Sequence, residues 1–596
     1  MVRSTLFQAT AVLSFFASSA FARMVNYNFD VVNGKVAPDG VSRDAVLINN
    51  RFPGPLITAN KNDILRINVK NKLTNPNMRR STTIHWHGLF QARTAEEDGP
   101  AFVTQCPIPP GSSYTYTIPL NGQAGTYWYH SHLGSQYVDG LRGPIVIYGL
   151  FIVTDPQDPY RKDYDVDDET TVFTLGDWYH DYAEAIEATG NVMKTIPDSG
   201  TINGKGRHDP LNITASPETL YTLKVQHGKR YRLRVINTSA VASFRFGIQG
   251  HKMTVIEMDG VNTKPMEVDQ MDLLAGQRYS VILTANQKPD TYWINAPITN
   301  VLKTNVQALL VYEAVKHWEP PKGPFWTWPV TPDVVKYWQH KHHGHRHKMH
   351  QKLRIGATCG ASGLARKFGK KAKGSAHARH EVAIGTQFEK RVDGANKNAV
   401  VLDESKLIPL ERPGAPGGSR PADIVIPINF DMNYAEGHWT INGNTYHPPS
   451  MATLMKIMTK QGGINGTDFA PTENTIVLGR NKVVELVIKG NSLGIVHPFH
   501  LHGHVFDVVQ FGKNPPNYVN PPKRDVVGVM DDGVRIQFKT DNPGPWFMHC
   551  HIDWHLEEGL AVVFVEAPED IPKMVRPDPA WANLCKKYEA LSEELQ

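Results

Sequence analysis

Apolar side chains recur at alternate positions through much of this chain. The pattern shows early in Ile64-Leu65-Arg66-Ile67-Asn68-Val69 and Tyr114-Thr115-Tyr116-Thr117-Ile118, then in Tyr231-Arg232-Leu233-Arg234-Val235-Ile236 and Ser280-Val281-Ile282-Leu283, and late in Val483-Val484-Glu485-Leu486-Val487-Ile488. Successive side chains on a strand point to opposite faces, so each run predicts one face on a core and one towards water. Between the runs lie Gly, Pro and Asn turns; 48 Gly and 42 Pro favour many short strands over long helices. The expected fold class is all-β. A length of 596 residues is too great for one core and suits three or four domains. The runs divide into consecutive β-sandwiches over residues 23–148, 149–316 and 401–575, followed by a tail, 576–596, with a helix predicted from Pro579 to Gln596.

Two segments break the strand pattern. Residues 1–22 carry Arg3, an apolar run from Leu6 to Phe21 and the small-x-small ending Ala20-Phe21-Ala22, which predicts a secretory signal peptide. No later stretch offers about 18 unbroken apolar residues, so no transmembrane anchor is expected after cleavage. Residues 317–400 include Gln339-His340-Lys341-His342-His343-Gly344-His345-Arg346-His347-Lys348-Met349-His350 and lack periodicity. From Val334 to His380 there are twelve Lys or Arg and no acid, so the chain's net charge of +5 becomes −7 without them. The body is acidic and this long basic insertion alone makes the chain basic. It is expected to be disordered or loosely attached. Three readings of it stand side by side: a solvated loop without function, retained intervening sequence, or a tract that binds polyanions or recruits metal.

Candidate chemistry concentrates in histidines. Trp546-Phe547-Met548-His549-Cys550-His551 reads as a strand, followed by a tight loop and a second strand over Leu560-Ala561-Val562-Val563-Phe564. Alternation sends His549 and His551 to one face and Cys550 to the other, so one segment serves two sites. In His497-Pro498-Phe499-His500-Leu501-His502, His497 lies three and five residues from the other two histidines and so faces away from both. Cys550, His555 and His497 make a thiolate with two imidazoles, the ligand set of a blue-copper electron-transfer site. His85-Trp86-His87 and His130-Ser131-His132 complete four His-x-His pairs, enough imidazoles for a three-ion cluster.

These motifs, in this order, resemble the multicopper oxidases across nearly the whole chain, and the fungal laccases among them in particular: His85-Trp86-His87-Gly88, Trp128-Tyr129-His130-Ser131-His132, His497 through His504, and His549 through His555. The resemblance implies three cupredoxin-like domains and four copper ions. His497, Cys550 and His555 would hold type 1 copper, His85 and His500 type 2, and His87, His130, His132, His502, His549 and His551 the type 3 pair. His504 matches the motif but is not among the family's ligands. Leu560, ten residues after Cys550, falls at the axial position, where a leucine cannot coordinate and the potential should rise relative to a methionine site. Asp98, in Glu97-Asp98-Gly99-Pro100, and Asp553 match acidic positions that the family uses near the cluster and the ligand strand, as proton relays; Asp98-Gly99-Pro100 is also a good turn in its own right. Of the four cysteines, the resemblance pairs Cys106, in Gln105-Cys106-Pro107, with Cys585, in keeping with a secreted setting, and leaves Cys359 over. Sequons stand at Asn212, Asn237 and Asn465.

The activity implied is one-electron oxidation of phenols or aromatic amines coupled to reduction of O2 to water, in settings such as lignin degradation or pigment formation. The expected partners are small aromatic reductants and O2; nucleic acid is not expected, and the chain is expected to be a monomer. The carboxylate that laccases place after their Asn-Thr-Ser segment falls here on Val241. The alternative is a ferroxidase, but the acids that would serve Fe(II) fall on Leu493 and Lys194.

Overall fold

The computed structural model describes residues 22–149, 158–208, 219–302, 304–315 and 399–592. Residues 1–21 of the signal peptide, residues 317–398 of the basic insertion, Asn212 and Cys359 lie outside the described residues.

Six sheets build three sandwiches. In the first, Met24–Val36 runs parallel to Ile64–Asn71, with Tyr27 beside Ile67, and Ile64–Asn71 pairs antiparallel with Ser113–Pro119. The alternation read from the sequence is realised there, since Leu65, Ile67 and Val69 are fully buried while Arg66 and Lys70 are exposed. The second sandwich joins a seven-stranded and a five-stranded sheet, and the third a six-stranded and a five-stranded sheet.

Three of the four histidine motifs lie on inner strands, and His85-Trp86-His87 lies on an edge strand. Ile84–His87 pairs antiparallel with Gly125–Ser131, setting His85 opposite His130. In the third sandwich His497–Leu501 lies between Val526–Val529 and Gly544–Cys550, with His500 opposite His549. One apolar core runs continuously from the first sandwich into the third, whereas the second has its own. The first and third are further joined at Val103, whose carbonyl accepts the Leu454 N–H at 2.9 Å, and by the Cys106–Cys585 disulfide, which ties the tail helix Pro579–Glu589 to the first sandwich.

Four expectations need adjustment. The loop after Cys550 contains a short helix, Asp553–Glu557. The tail helix ends at Glu589, where Ala590 closes its last turn, rather than running on towards Gln596. Residues 400–410 pair with the second sandwich, through Gln270 with Val401 and Thr263 with Pro409, so the third sandwich's own first strand is Ile424–Asn433. Asn237 is fully buried, its amide donating to the carbonyls of Ala242 and Leu273, so it cannot carry a surface glycan; Asn465 is exposed.

Candidate metal centre

Strand parity sorts the ligands. Cys550 and His497 project to one side of their paired strands, and Cys550 Sγ lies 3.5 Å from His497 Nδ1 and 3.6 Å from His555 Nδ1. On the other side, three groups form, each with its ligand atoms within 4.8 Å of one another: His85, His87 and His500; His87, His130 and His551; and His132, His502 and His549. All eight of these histidines are buried, and they come equally from the first and third sandwiches.

The ring orientations show what such a group must hold. Nδ1 of His85 donates to the Asp98 carbonyl, Nδ1 of His130 to that of Ser131, and Nδ1 of His500 to that of Asp525, each at 2.8 Å; Nδ1 of His549 donates to the Cys550 carbonyl at 2.9 Å. His502 Nδ1 donates to Asp98 Oδ2 at 2.8 Å. With the proton on Nδ1, each Nε2 presents a bare lone pair. The Nε2 atoms of His85, His130 and His500 have no hydrogen-bond partner in the protein, and those of His502 and His549 face each other at 3.2 Å. Two lone pairs so close repel unless a proton or a cation lies between them. Protonation is opposed, because burial first and neighbouring imidazoles second hold His130, His132, His500 and His502 far below the ordinary histidine range, while burial takes His549 to about 3. Neutral imidazoles with free nitrogens, fixed by hydrogen bonds behind them, suit copper.

The cysteine site leads to the same conclusion. His497 Nε2 donates to the Ser492 carbonyl at 3.2 Å, leaving Nδ1 bare towards the sulfur. Burial pushes the Cys550 thiol up, so a thiolate forms there only beside a cation. The walls are apolar: Phe430 stands 5.0 Å and Trp439 4.8 Å from the His497 ring, centroid to centroid. Leu560 is fully buried, and its carbonyl accepts the Cys550 N–H at 3.1 Å. His555 is the one ligand of this site that is only half-buried, so the centre approaches the surface through its ring.

Asp98 is fully buried and grips both sandwiches, His85 from the first and His502 from the third. Its turn requires glycine next, because Gly99 has φ +98° and a Cβ there would strike the Ile84 carbonyl. Asp553 is also buried, and burial, with Glu557 and Glu187 adding to it, holds its carboxyl well above the usual range. Its Oδ2 is buried with no hydrogen-bond partner among the described residues. His504 pairs with Glu566 at 2.9 Å, away from the cluster.

Sequence reasoning missed Asp525. Its carboxylate lies 3.4 Å from His87 Nε2 and takes both Arg278 guanidinium nitrogens, Nη1 at 2.5 Å and Nη2 at 2.7 Å, all fully buried. The available signal was Lys523-Arg524-Asp525 placed directly before an apolar strand, a run of charge where burial follows. A cavity of about 180 Å³ reaches the cluster at His132, between Phe547, Tyr446, Arg79 and the tail helix residue Tyr588.

Comparison with known proteins matches three family models described as multicopper oxidase to residues 30–150, 169–314 and 446–570. Laccase-2 of Thanatephorus cucumeris is 63% identical over the whole of both chains, and Laccase-1 of Agaricus bisporus 40% identical over 97% of each. Among solved structures, Fet3p, described as a multicopper oxidase that functions in iron import, superposes with a TM-score of 0.73 at 27% identity, covering 96% of this chain and 98% of its own. The laccase from Botrytis aclada gives 0.72 at 28% identity, covering 96% and 93%.

Proposed function

Because the chain belongs to the multicopper oxidase family, we propose that its eleven converging side chains hold four copper ions: type 1 on His497, Cys550 and His555, type 2 on His85 and His500, and a type 3 pair on His87, His130, His551 and on His132, His502, His549. The enzyme is a laccase-type oxidoreductase. Bound copper supplies one-electron acceptance at the cysteine site and four-electron reduction of O2 to water at the histidine cluster.

The protein's own part is to connect, shield and supply protons. Cys550 is covalently continuous with His549 and His551, so the two sites are joined by two short backbone paths. Burial of the eight-histidine group excludes bulk water, while the cavity at His132 admits a molecule the size of O2. Asp98 is placed to hold a proton beside His502 and His85, its carboxyl raised by burial against the opposing pull of His85. Asp553, buried beside the ligand strand with its carboxyl raised by that burial, is a second group able to hold a proton. Leu560, buried next to Cys550, would line the type 1 site without offering a donor atom.

The substrate reading rests on the half-buried His555 ring and its apolar surroundings. The Asp553 N–H donates to the Ala240 carbonyl at 2.9 Å, bringing the Ala240–Val241 turn beside the segment that carries His555. Val241 offers no carboxylate; Leu493 is 42% exposed and apolar, and Lys194 is a cation engaged by Asp181 at 2.7 Å. Fe(II) oxidation profits from carboxylates that stabilise Fe(III), whereas aromatic rings suit an apolar wall. Oxygen uptake with a methoxyphenol and with Fe(II) tests this directly: higher kcat/KM for the phenol is expected, and a clear preference for Fe(II) overturns it.

The same reading makes the chain a secreted monomer, with residues 1–22 removed, copper ligands on 23–148 and 401–575, and 149–316 as a spacer that forms part of the substrate wall. The disulfide suits an oxidising compartment. Among the described residues no helix is long and apolar enough to cross a membrane. Polyanion binding by residues 317–400 belongs to this proposal as an accessory property that weakens steeply with salt.

A further inference from the structure

A second group of ligand-type side chains, sharing no residue with the copper centre, lies where the turn after the first strand meets the second sandwich. Asp39, His180 and His208 offer a carboxylate oxygen and two imidazole nitrogens, all within 4.8 Å of one another. The backbone holds them there. Gly206 N–H donates to the Pro38 carbonyl at 2.8 Å and His208 N–H to the Asp39 carbonyl at 3.0 Å, closing the end of one chain segment onto the turn of the other. His180 follows the strand Val172–Trp178, and its own N–H donates to Asp198 Oδ2 at 2.9 Å.

The donor set is specific. His180 Nε2 lies 2.8 Å from Asp39 Oδ2, and the His180 and His208 rings stand 4.6 Å apart at 64°. Asp39 and His180 are paired directly, and a second imidazole, that of His208, lies within reach of the same carboxylate. Hard cations such as Ca(II) and Mg(II) take oxygen ligands throughout, whereas two imidazoles with one carboxylate suit Zn(II) and its neighbours. The Asp39 carboxylate is held in place by the Ser199 hydroxyl, which donates to Oδ2 at 2.6 Å, and by the Val41 N–H, which donates to Oδ1 at 3.0 Å. Asp198 Oδ2, which accepts the His180 backbone N–H, lies 3.9 Å from the second ring nitrogen, too far for a hydrogen bond to it. Ligand atoms around tetrahedral Zn(II) stand about 3.3 Å apart, so the Asp39–His180 pair must open by about half an ångström, and the half-buried edges of His180 and His208 leave the fourth position to water.

We propose that Asp39, His180 and His208 bind one divalent cation of the Zn(II) class, which fastens the first sandwich to the second and takes no part in electron transfer. The test uses the full-length, copper-loaded enzyme. Crystals soaked in Zn(II) are expected to show an anomalous peak, at the zinc edge, between the three side chains. In solution, equilibrium dialysis with Zn(II) is expected to leave His208→Gln with one zinc per chain fewer than the parent, with phenol oxidation unchanged and the zinc-induced rise in Tm reduced. The comparison is differential, so that any zinc taken up by the histidines between His340 and His350 counts equally in both chains. No anomalous peak at the three residues, or equal zinc content in the two chains, overturns the proposal; the crystal experiment does not depend on the variant folding.

Discussion

Asp98 Oδ2 accepts the His502 Nδ1 hydrogen at 2.8 Å across a sequence separation of 404 residues. The same residue's carbonyl takes the Nδ1 hydrogen of His85, so one turn fixes the tautomer of a ligand from each of two sandwiches. The Nδ1 hydrogen of His502 therefore finds this partner only when the first and third sandwiches are docked.

Asp98→Asn tests whether this residue also supplies protons. An asparagine oxygen can still accept from His502, so four coppers per chain and the blue colour are expected to persist. It cannot hold a proton at its oxygen, so kcat should fall by about 10² or more with little change in the KM for phenol. A loss of copper instead would make Asp98 a positioning residue alone.

Cys550→Ser separates the two sites. The hydroxyl cannot replace a soft thiolate, so the visible charge-transfer band and phenol oxidation should vanish while the eight-histidine cluster keeps its copper and the chain its fold. Metal analysis should give about three coppers per chain, from the ligand sets of the cluster. A variant that stayed blue would remove Cys550 from the proposed site.

Much of this centre was legible because its logic is local. Alternation along two strands separates Cys550 from His549 and His497 from His500, and a period of two needs no knowledge of the fold. What stayed hidden was set by distant partners. Asp525 is explained by Arg278, 247 residues away; the charge run Lys523-Arg524-Asp525 marks one end of the pair but nothing in it points to Arg278. Asn237 carries a sequon whose three residues are blind to the two carbonyls that bury its amide. Asp553–Glu557 is too short for helical periodicity to show, and residues 400–410 join the second sandwich through single bridges that follow no strand pattern of their own.

Glu257 carries a pH-dependent prediction for the interface between the first and second sandwiches. Burial raises its carboxyl, but Arg232 and Arg234 outweigh it and take it from 4.5 to about 2; its Oε1 also accepts the Thr126 N–H at 2.7 Å. A carboxyl depressed by folding contributes stability above its unfolded value and loses that contribution as pH falls through the folded value. Glu257→Gln should therefore destabilise at pH 7 by about 3–5 kcal/mol, the cost of breaking a buried pair, towards the lower end because Arg232 keeps Asp158 and Arg234 keeps Asp167. Denaturant titrations of the two proteins should converge between pH 4.5 and about 2. A gap that stayed constant across that window would show that the carboxylate charge is not what the interface uses.

Leu560→Met addresses the driving force. Leu560 is fully buried one hydrogen bond from Cys550, and its side chain has no atom able to coordinate. A weak thioether ligand stabilises Cu(II) relative to Cu(I), so the methionine variant should show a lower type 1 potential when the blue band is titrated reductively. Leucine and methionine are close in volume, so packing should cost less than about 1.5 kcal/mol and the variant should fold. A lower potential slows electron uptake from reductants that are hard to oxidise more than from easy ones, so the rate loss should grow across a series of phenols of rising potential. An unchanged potential would mean that residue 560 does not face the metal, and the axial assignment would pass to another side chain of the Cys550 site.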